Sequence, residues 1–412
     1  MLHDGWQLGM DARLVTFLSV AEGTGLPEGQ PDQTGAGTVD TQDTSGGIHS
    51  VRIRNGFMMS VLGVTARKQL NNNVKLTTRV GLWMNITGSR TKDISALVDP
   101  RELYAKLEGS WGSVLAGSEL ALFGRGAVQI DAAIAHEYGL GYPCSIRVAS
   151  GGGCGMVAFG TTFPGFEPGL VYSSPRFIGL QASLGLYDPA TIGNAQLDRA
   201  PLPRFEGELR YDYEDLIRVL ASGFWQVLEG TVPDPSAPGL GRRKNLHTDA
   251  WGAQAGAMLS LGPVMIGGAA MQGTGLGPIT YIEESTITAD STGVLRHSRG
   301  GFGLAAVTIA PWNLKLAGGA GVWLLDKNQN DSGPLTSSGA PANPQLIRQN
   351  FGITVGAYQT AGPLHFALEY FRARHTWHDR GVASAADPSV TADIVGPQQT
   401  INFINAGVTV AW

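Results

Sequence analysis

NVKLTTRVGLWMNI, residues 73–86, decides how the chain is read. Val74, Leu76, Val80, Leu82, Met84 and Ile86 take alternate positions, with Lys75, Thr77, Arg79 and Asn85 between them. A period of two puts the two sets on opposite faces of a strand, one apolar and one charged. RFEGELRY repeats the pattern, with Phe205, Leu209 and Tyr211 against Arg204, Glu206, Glu208 and Arg210. So does GPLHFALEY, with Leu364, Phe366, Leu368 and Tyr370 against His365 and Glu369. Roughly sixteen such segments follow one another, enough for a barrel that encloses an aqueous channel. They start near Trp6, Val51, Val74, Arg101, Gly112, Gly169, Phe177, Arg204, Ile217, Thr248, Pro263, Arg299, Trp312, Leu346, Pro363 and Gln399.

The connections alternate in length. Short ones carry turn residues: SSPR at Ser173, YED at Tyr213, LGP at Leu261, APWN at Ala310 and TAGP at Thr360. Long ones are polar and rich in Gly, Pro, Asp and Ser, as in GTVPDPSAPGLGRR and KNQNDSGPLTSSGAPANP. Tight turns at one end and long loops at the other mark a membrane barrel, and an even strand number puts both termini at the turn end. Open sheet edges are not viable in lipid, so the sheet must close on itself. Ala250 to Ile282 lacks charge and is long enough for a membrane helix. Its glycines and Pro263 instead divide it into two strands and a turn, with Trp251, Ala253, Ala255, Ala257, Leu259 and Leu261 on one face. The last strand, TINFINAGVTVAW, aligns Ile404, Ala406, Val408, Val410 and the terminal Trp412.

Composition agrees. Charged residues are 15% of the chain, below the roughly 25% of soluble proteins. Mean hydropathy is nonetheless +0.00, too polar for a bundle of membrane helices. One strand face in lipid and one in water produces that balance. The 58 glycines weaken helices by about 1 kcal/mol each relative to alanine, and closely packed strands tolerate them better. The net charge of −5, with no Lys/Arg cluster, points to no nucleic-acid partner. Met1 runs into LHDGWQLGMDARL without an export signal, which reads as a mature chain with an added Met.

Enzyme signatures fail. His136-Glu137 begins like a zinc-protease helix, but no histidine follows at the required spacing. GTGLG at Gly273 lacks the context of a nucleotide site, there is no Gly-x-Ser-x-Gly elbow, and the histidines lack metal-ligand spacing. The expectation is therefore no catalysis, no cofactor and no metal. Cys144 and Cys154 flank a glycine run that lets the segment fold back. A local disulfide in an oxidising compartment is the favoured reading, and two free thiols the alternative.

Three stretches resemble Gram-negative general porins. LYAKLEGSWGSVLAGSE, from Leu103, resembles the family's strand, short turn and strand around Leu-x-Gly-x-aromatic-Gly. GLVYSSPRFIGLQASLGLYD, from Gly169, resembles the strand pair after the family's constriction loop, and Trp412 matches its terminal aromatic. Where the family usually ends the second strand of the first motif on arginine, this chain has Ser118 and Glu119. The resemblance implies one porin domain over residues 1–412, an all-β transmembrane antiparallel barrel with its long third loop folded into the lumen. It also implies a homotrimer in the outer membrane of a Gram-negative bacterium, in contact with its lipids and open to small hydrophilic solutes and ions.

The third loop spans residues 121–167 and includes AVQIDAAIAHEYGL, a candidate short helix. The resemblance makes it the constriction loop; physics alone also allows an outer lid. Alternation sets Arg13, Arg52, Arg54, Lys75, Arg79 and Lys106 on the water-facing side, since lipid exposure costs up to about 2–4 kcal/mol each. The loop offers Asp131 and Glu137, with Glu119 at its root. The resemblance predicts an eyelet with a basic wall opposite acidic loop residues; the alternative is that the arginines are solvated or pair within the wall. Two other functions fit the same architecture: a substrate-specific, sugar-type channel, favoured by the apolar GMVAFGTTFPGF, and a structural surface barrel without conductance.

Overall fold

A computed structural model describes residues 5–27, 46–71, 73–84, 86, 98–144, 152–192, 197–233, 243–280, 282, 287–290, 292–332, 346–378, 380–383, 391–394 and 396–412. Asn85, the middle of the Cys144–Cys154 segment and most of the two long polar connections quoted above lie outside them. The strands are β1 (Trp6–Thr24), β2 (in two segments, Gly47–Arg54 and Ser60–Asn71), β3 (Val74–Met84), β4 (Val98–Gly109) and β5 (Gly112–Leu120). After the third loop, L3, come β6 (Phe166–Ser173), β7 (Leu180–Tyr187), β8 (Arg204–Tyr213), β9 (Ile217–Pro233), β10 (Arg243–Leu261) and β11 (Val264–Thr274). β12 (His297–Ile309), β13 (Leu314–Leu325), β14 (Ile347–Ala361), β15 (Leu364–Trp377) and β16 (Gln398–Ala411) complete the wall.

The sheet has 17 strand segments, two of them halves of β2, which makes sixteen strands. Each pairs antiparallel with the next, and β16 returns to β1 in register from Arg13↔Ala411 to Gly23↔Ile401. Trp412 and Ala12 exchange both backbone hydrogen bonds at 3.0 Å, so the terminal residue takes part in the closure. The suspected membrane helix is two strands: β10 and β11 pair directly across Gly262-Pro263, with Gly262 at φ 58°. The other tight turns share that end of the barrel with the termini, and the long loops share the opposite end.

Alternation becomes an inside and an outside. Leu8, Met10, Leu14 and Leu18 of β1 point outward, as do Leu364, Phe366, Leu368 and Tyr370 of β15. Val15, Phe17 and Ala21 of β1 and Phe371 and Ala373 of β15 point inward, where L3 packs on them. Sequence reading gave β2 as one unbroken strand, and the structure corrects this. Gly47–Thr24 to Arg54–Phe17 is one run of pairing with β1, and Val61–Arg13 to Lys68–Trp6 is another. Between them Asn55 to Met59 leave the wall. Arg52 and Arg54 point inward before the break and Val61, Gly63 and Thr65 after it, a one-residue change of phase. Periodicity does not reveal such a break, because both halves alternate correctly on their own.

Leu184, at the middle of β7, is 68% exposed on the outward face. Leu184→Arg is expected to destabilise the barrel in phospholipid vesicles by about 2–4 kcal/mol. Arginine in place of Gln181, inward on the same strand, is expected to cost less than half as much. Urea titration monitored by tryptophan fluorescence measures both.

Candidate functional site: the pore constriction

L3 leaves β5 at Ala121 and forms helix α1 (Leu122–Asp131), which continues into a π-helical turn over Ala132–His136. The apolar side of this segment lies on the inner face of the wall from β8 to β13. Phe123 meets Phe224 edge-on at 4.8 Å between ring centroids. Further on, Phe159 lies against Gly321 and Gly352, where any Cβ would collide with it, so the inner wall carries no side chain there. Phe159 also packs on Phe371 at 5.1 Å and Tyr142 at 4.6 Å. Cys144 and Cys154 are joined, with Cα atoms 5.7 Å apart, and Pro143–Cys144 pairs with Gly152–Gly153 as a two-rung ribbon.

Polar contacts hold the loop to the wall. The Glu369 carboxylate of β15 accepts from the Leu140 amide at 2.8 Å, the Gly141 amide at 3.1 Å and the Tyr358 hydroxyl at 2.7 Å. Asp131 and His136 are fully buried. Asp131 is bonded to His136 Nδ1 at 2.6 Å and accepts from the Met156 amide at 2.8 Å. His136 Nε2 lies 3.9 Å from Glu369 and 3.3 Å from the Thr354 hydroxyl. Burial disfavours the imidazolium, but the Asp131 charge and hydrogen bond and the Glu369 charge outweigh it and hold the His136 pKa above its ordinary value. At the loop's start Arg125 makes a two-pronged contact with Glu208, and the Phe123 amide donates to Glu206 at 2.8 Å. Loops from the outer rim press in above: Ile192, Leu197, Leu276, Ala289 and Leu295 form one apolar cluster with Phe123.

The packing is lopsided. L3 follows the wall from β8 round to β16, and a cavity of about 250 Å³ remains between it and β2–β6. Around this cavity the wall charges lie in cross-strand rows. Arg79 reaches across Gly63 and Gly81 to Asp11 (2.7 and 3.0 Å) and Glu102 (3.0 Å). Arg13 shares a row with Val61 and Trp83. Its Nε donates to the Met59 carbonyl at 3.1 Å. Glu119 lines the cavity beside Glu102.

The candidate residues thus fall into different settings. Arg13, Arg52, Arg54 and Arg79 are on inward positions, but Arg79 is an ion-paired element of the wall, and Arg54 is 2% exposed. Asp131 is sealed inside the loop and does not face Arg52 or Arg79, because it is consumed in fastening His136 and Met156. Glu137 is exposed, and its charge acts on Arg13, Lys315 and His365. The carboxylates that answer Arg79 come from the wall itself, Asp11 and Glu102. Asp11 was legible as a polar-face residue of β1, but its pairing with Arg79, 68 residues away, depends on strand register. Trp412 points outward, 66% exposed, at the turn end. Among the described residues no group of three or more His, Cys, Asp and Glu could hold a metal ion.

A sequence profile of Gram-negative porins matches residues 32–411, nearly the whole barrel. The chain belongs to the Gram-negative porin family. It is an outer-membrane channel for passive diffusion, without catalytic chemistry. Among solved structures this porin is similar to the outer membrane channel DcaP of Acinetobacter baumannii, at TM-score 0.64 and 12% identity over 100% of this chain and 99% of that one. It is also similar to an anion-selective porin from Comamonas acidovorans, at TM-score 0.58 and 15% identity over 99% and 100%. A trimer form of OmpT from Vibrio cholerae matches at TM-score 0.51 and 12% identity, again over 99% and 100%. At these identities the likeness is one of fold. No curated protein matches the sequence.

Two outcomes follow for the loop clamp. Glu369→Ala orphans three buried donors, each costing about 1–3 kcal/mol, so deuterium exchange at the Leu140 and Gly141 amides should accelerate and the melting temperature in detergent should fall. Because the folded His136 pKa is raised, its clamp is complete below about pH 6.5 and is lost as pH rises through the folded value. The same exchange rates should rise towards alkaline pH in the native porin, beyond the intrinsic base catalysis seen in the unfolded chain, and His136→Gln should flatten that excess.

Proposed function

We propose that this porin is a single-domain homotrimer in which each barrel admits small hydrophilic solutes and ions. The passage lies between L3 and the wall from β1 to β6, and the charges there set ion preference. The observation that carries this is the lopsided packing of L3, which fills one side of the lumen and leaves the charged side open. Arg13, Arg52 and Arg54 supply positive potential from β1 and β2, and Glu119 and Glu137 supply negative potential from the root and middle of the loop. In a narrow, partly desolvated passage such charges act on permeant ions more strongly than in bulk water. The trimer form of OmpT supports the oligomeric state, and the anion selectivity named for the Comamonas porin is one that inward arginines can supply.

Planar bilayers test the reading. Conductance should appear in steps of three. Under a salt gradient, Arg13→Gln with Arg52→Gln should move the reversal potential towards cation preference, and Glu119→Gln with Glu137→Gln the opposite way. Asp131→Asn, sealed within the loop, should leave the potential where it is. If both double variants match the unmodified porin, these residues do not line the passage.

A further inference from the structure

We infer that the slot between L3 and the β2–β6 wall binds small aromatic carboxylates on their way through the channel. This rests on the passive-channel reading and names the solute class that the passage favours. The first observation is what lines the slot. Phe57, Met58, Met59, Trp83, Phe163 and Phe166 surround it, where a passage for hydrated ions alone would be polar. The second is how the wall supplies three of them. β2 leaves the ladder over Asn55–Met59, and backbone groups at membrane depth need partners. They find them in L3: the Phe57 amide donates to the Gly139 carbonyl at 2.8 Å, and the Gly153 amide donates to the Gly56 carbonyl at 3.2 Å. The inward step is thus a supported structure that places one aromatic and two thioether side chains in the lumen. Thioethers adapt to the shape and polarisability of a ring.

The third observation is charge. The guanidinium groups of Arg13 and Arg101 sit over the Trp83 ring at 5.9 and 5.4 Å, and Arg101 also lies 5.8 Å from Phe166. Arg101 is steadied by Asp99 at 2.8 Å through Nε. No carboxylate among the described residues comes within ion-pair distance of Arg13, while Arg79 engages the neighbouring Asp11 and Glu102. Glu119, beside Glu102 on the same wall, also lines the slot and lies in the field of Arg125 and Lys106. A cationic ring would therefore find the Trp83 and Phe166 faces already occupied by guanidinium groups. A carboxylate finds the Arg101 guanidinium in the lining and Arg13 over the same Trp83 ring, and its ring finds Met59 and Phe163. Size agrees, since an apolar cavity of about 150 Å³ holds benzene and this slot is about 250 Å³.

The test uses the whole protein folded in detergent, with benzoate, acetate and benzylamine as probes in isothermal titration calorimetry. KCl conductance of the same preparation is measured separately. Benzoate should bind at least about tenfold tighter than either of the others. Arg13→Gln should weaken benzoate about tenfold, with Arg13→Lys in between, and Phe163→Ala should narrow the preference for benzoate over acetate. Acetate binding as well as benzoate removes the ring from the argument and overturns the proposal. Benzylamine binding as well as benzoate assigns the slot to cations through Glu119 and overturns it too, as does unchanged benzoate affinity in both Arg13→Gln and Phe163→Ala. Conductance without benzoate binding defeats this inference and leaves the channel standing; benzoate binding without conductance does the reverse.

Discussion

A strand in a bilayer has no water to satisfy its backbone, so every amide and carbonyl on its edges needs a neighbouring strand. In this chain the demand is met by the pairing of β16 with β1, from Arg13↔Ala411 to Gly23↔Ile401. Closure sets the rest. It gives the sheet an inside and an outside, turns each alternating strand into one lipid face and one lumen face, and creates an interior that some other part of the chain must fill or leave wet.

L3 fills much of it by the ordinary rules of a soluble core. Its aromatic and aliphatic side chains meet small inward residues, and Phe159 settles where Gly321 and Gly352 leave room. Its polar groups are answered by a few wall residues, with Glu369 taking three donors at once. The loop packs most closely on the wall from β8 to β16. The glycines that a composition count records as merely abundant are, on this inner face, what lets a loop share a barrel with its own wall.

On the opposite side the wall keeps its charge and answers most of it locally. Arg79 bridges Asp11 and Glu102, and Lys75 and Lys106 both reach Glu108. Such clusters rigidify the wall, the first with a negative charge in excess and the second with a positive one. On the proposed passage, the charges that act on a solute are those less fully answered, Arg13 and the exposed Glu137 among them.

Sequence alone determined the barrel, its roughly sixteen strands, the direction of their faces and the extent of the long third connection over residues 121–167. These follow from a period of two and from turn residues, both local properties of the chain. It also placed the arginines on the lumen face, because lipid would not accept them. It did not show the break at Asn55–Met59, since the strand alternates properly on either side and only the register against β1 exposes the shift. Nor did it show that Asp131 is buried under the loop, that Arg79 is held by Asp11, or that Trp83 and Met59 meet at one slot. Those facts depend on which residues of distant strands share a row and on which wall L3 leans, and closure decides both by joining the two ends of the chain.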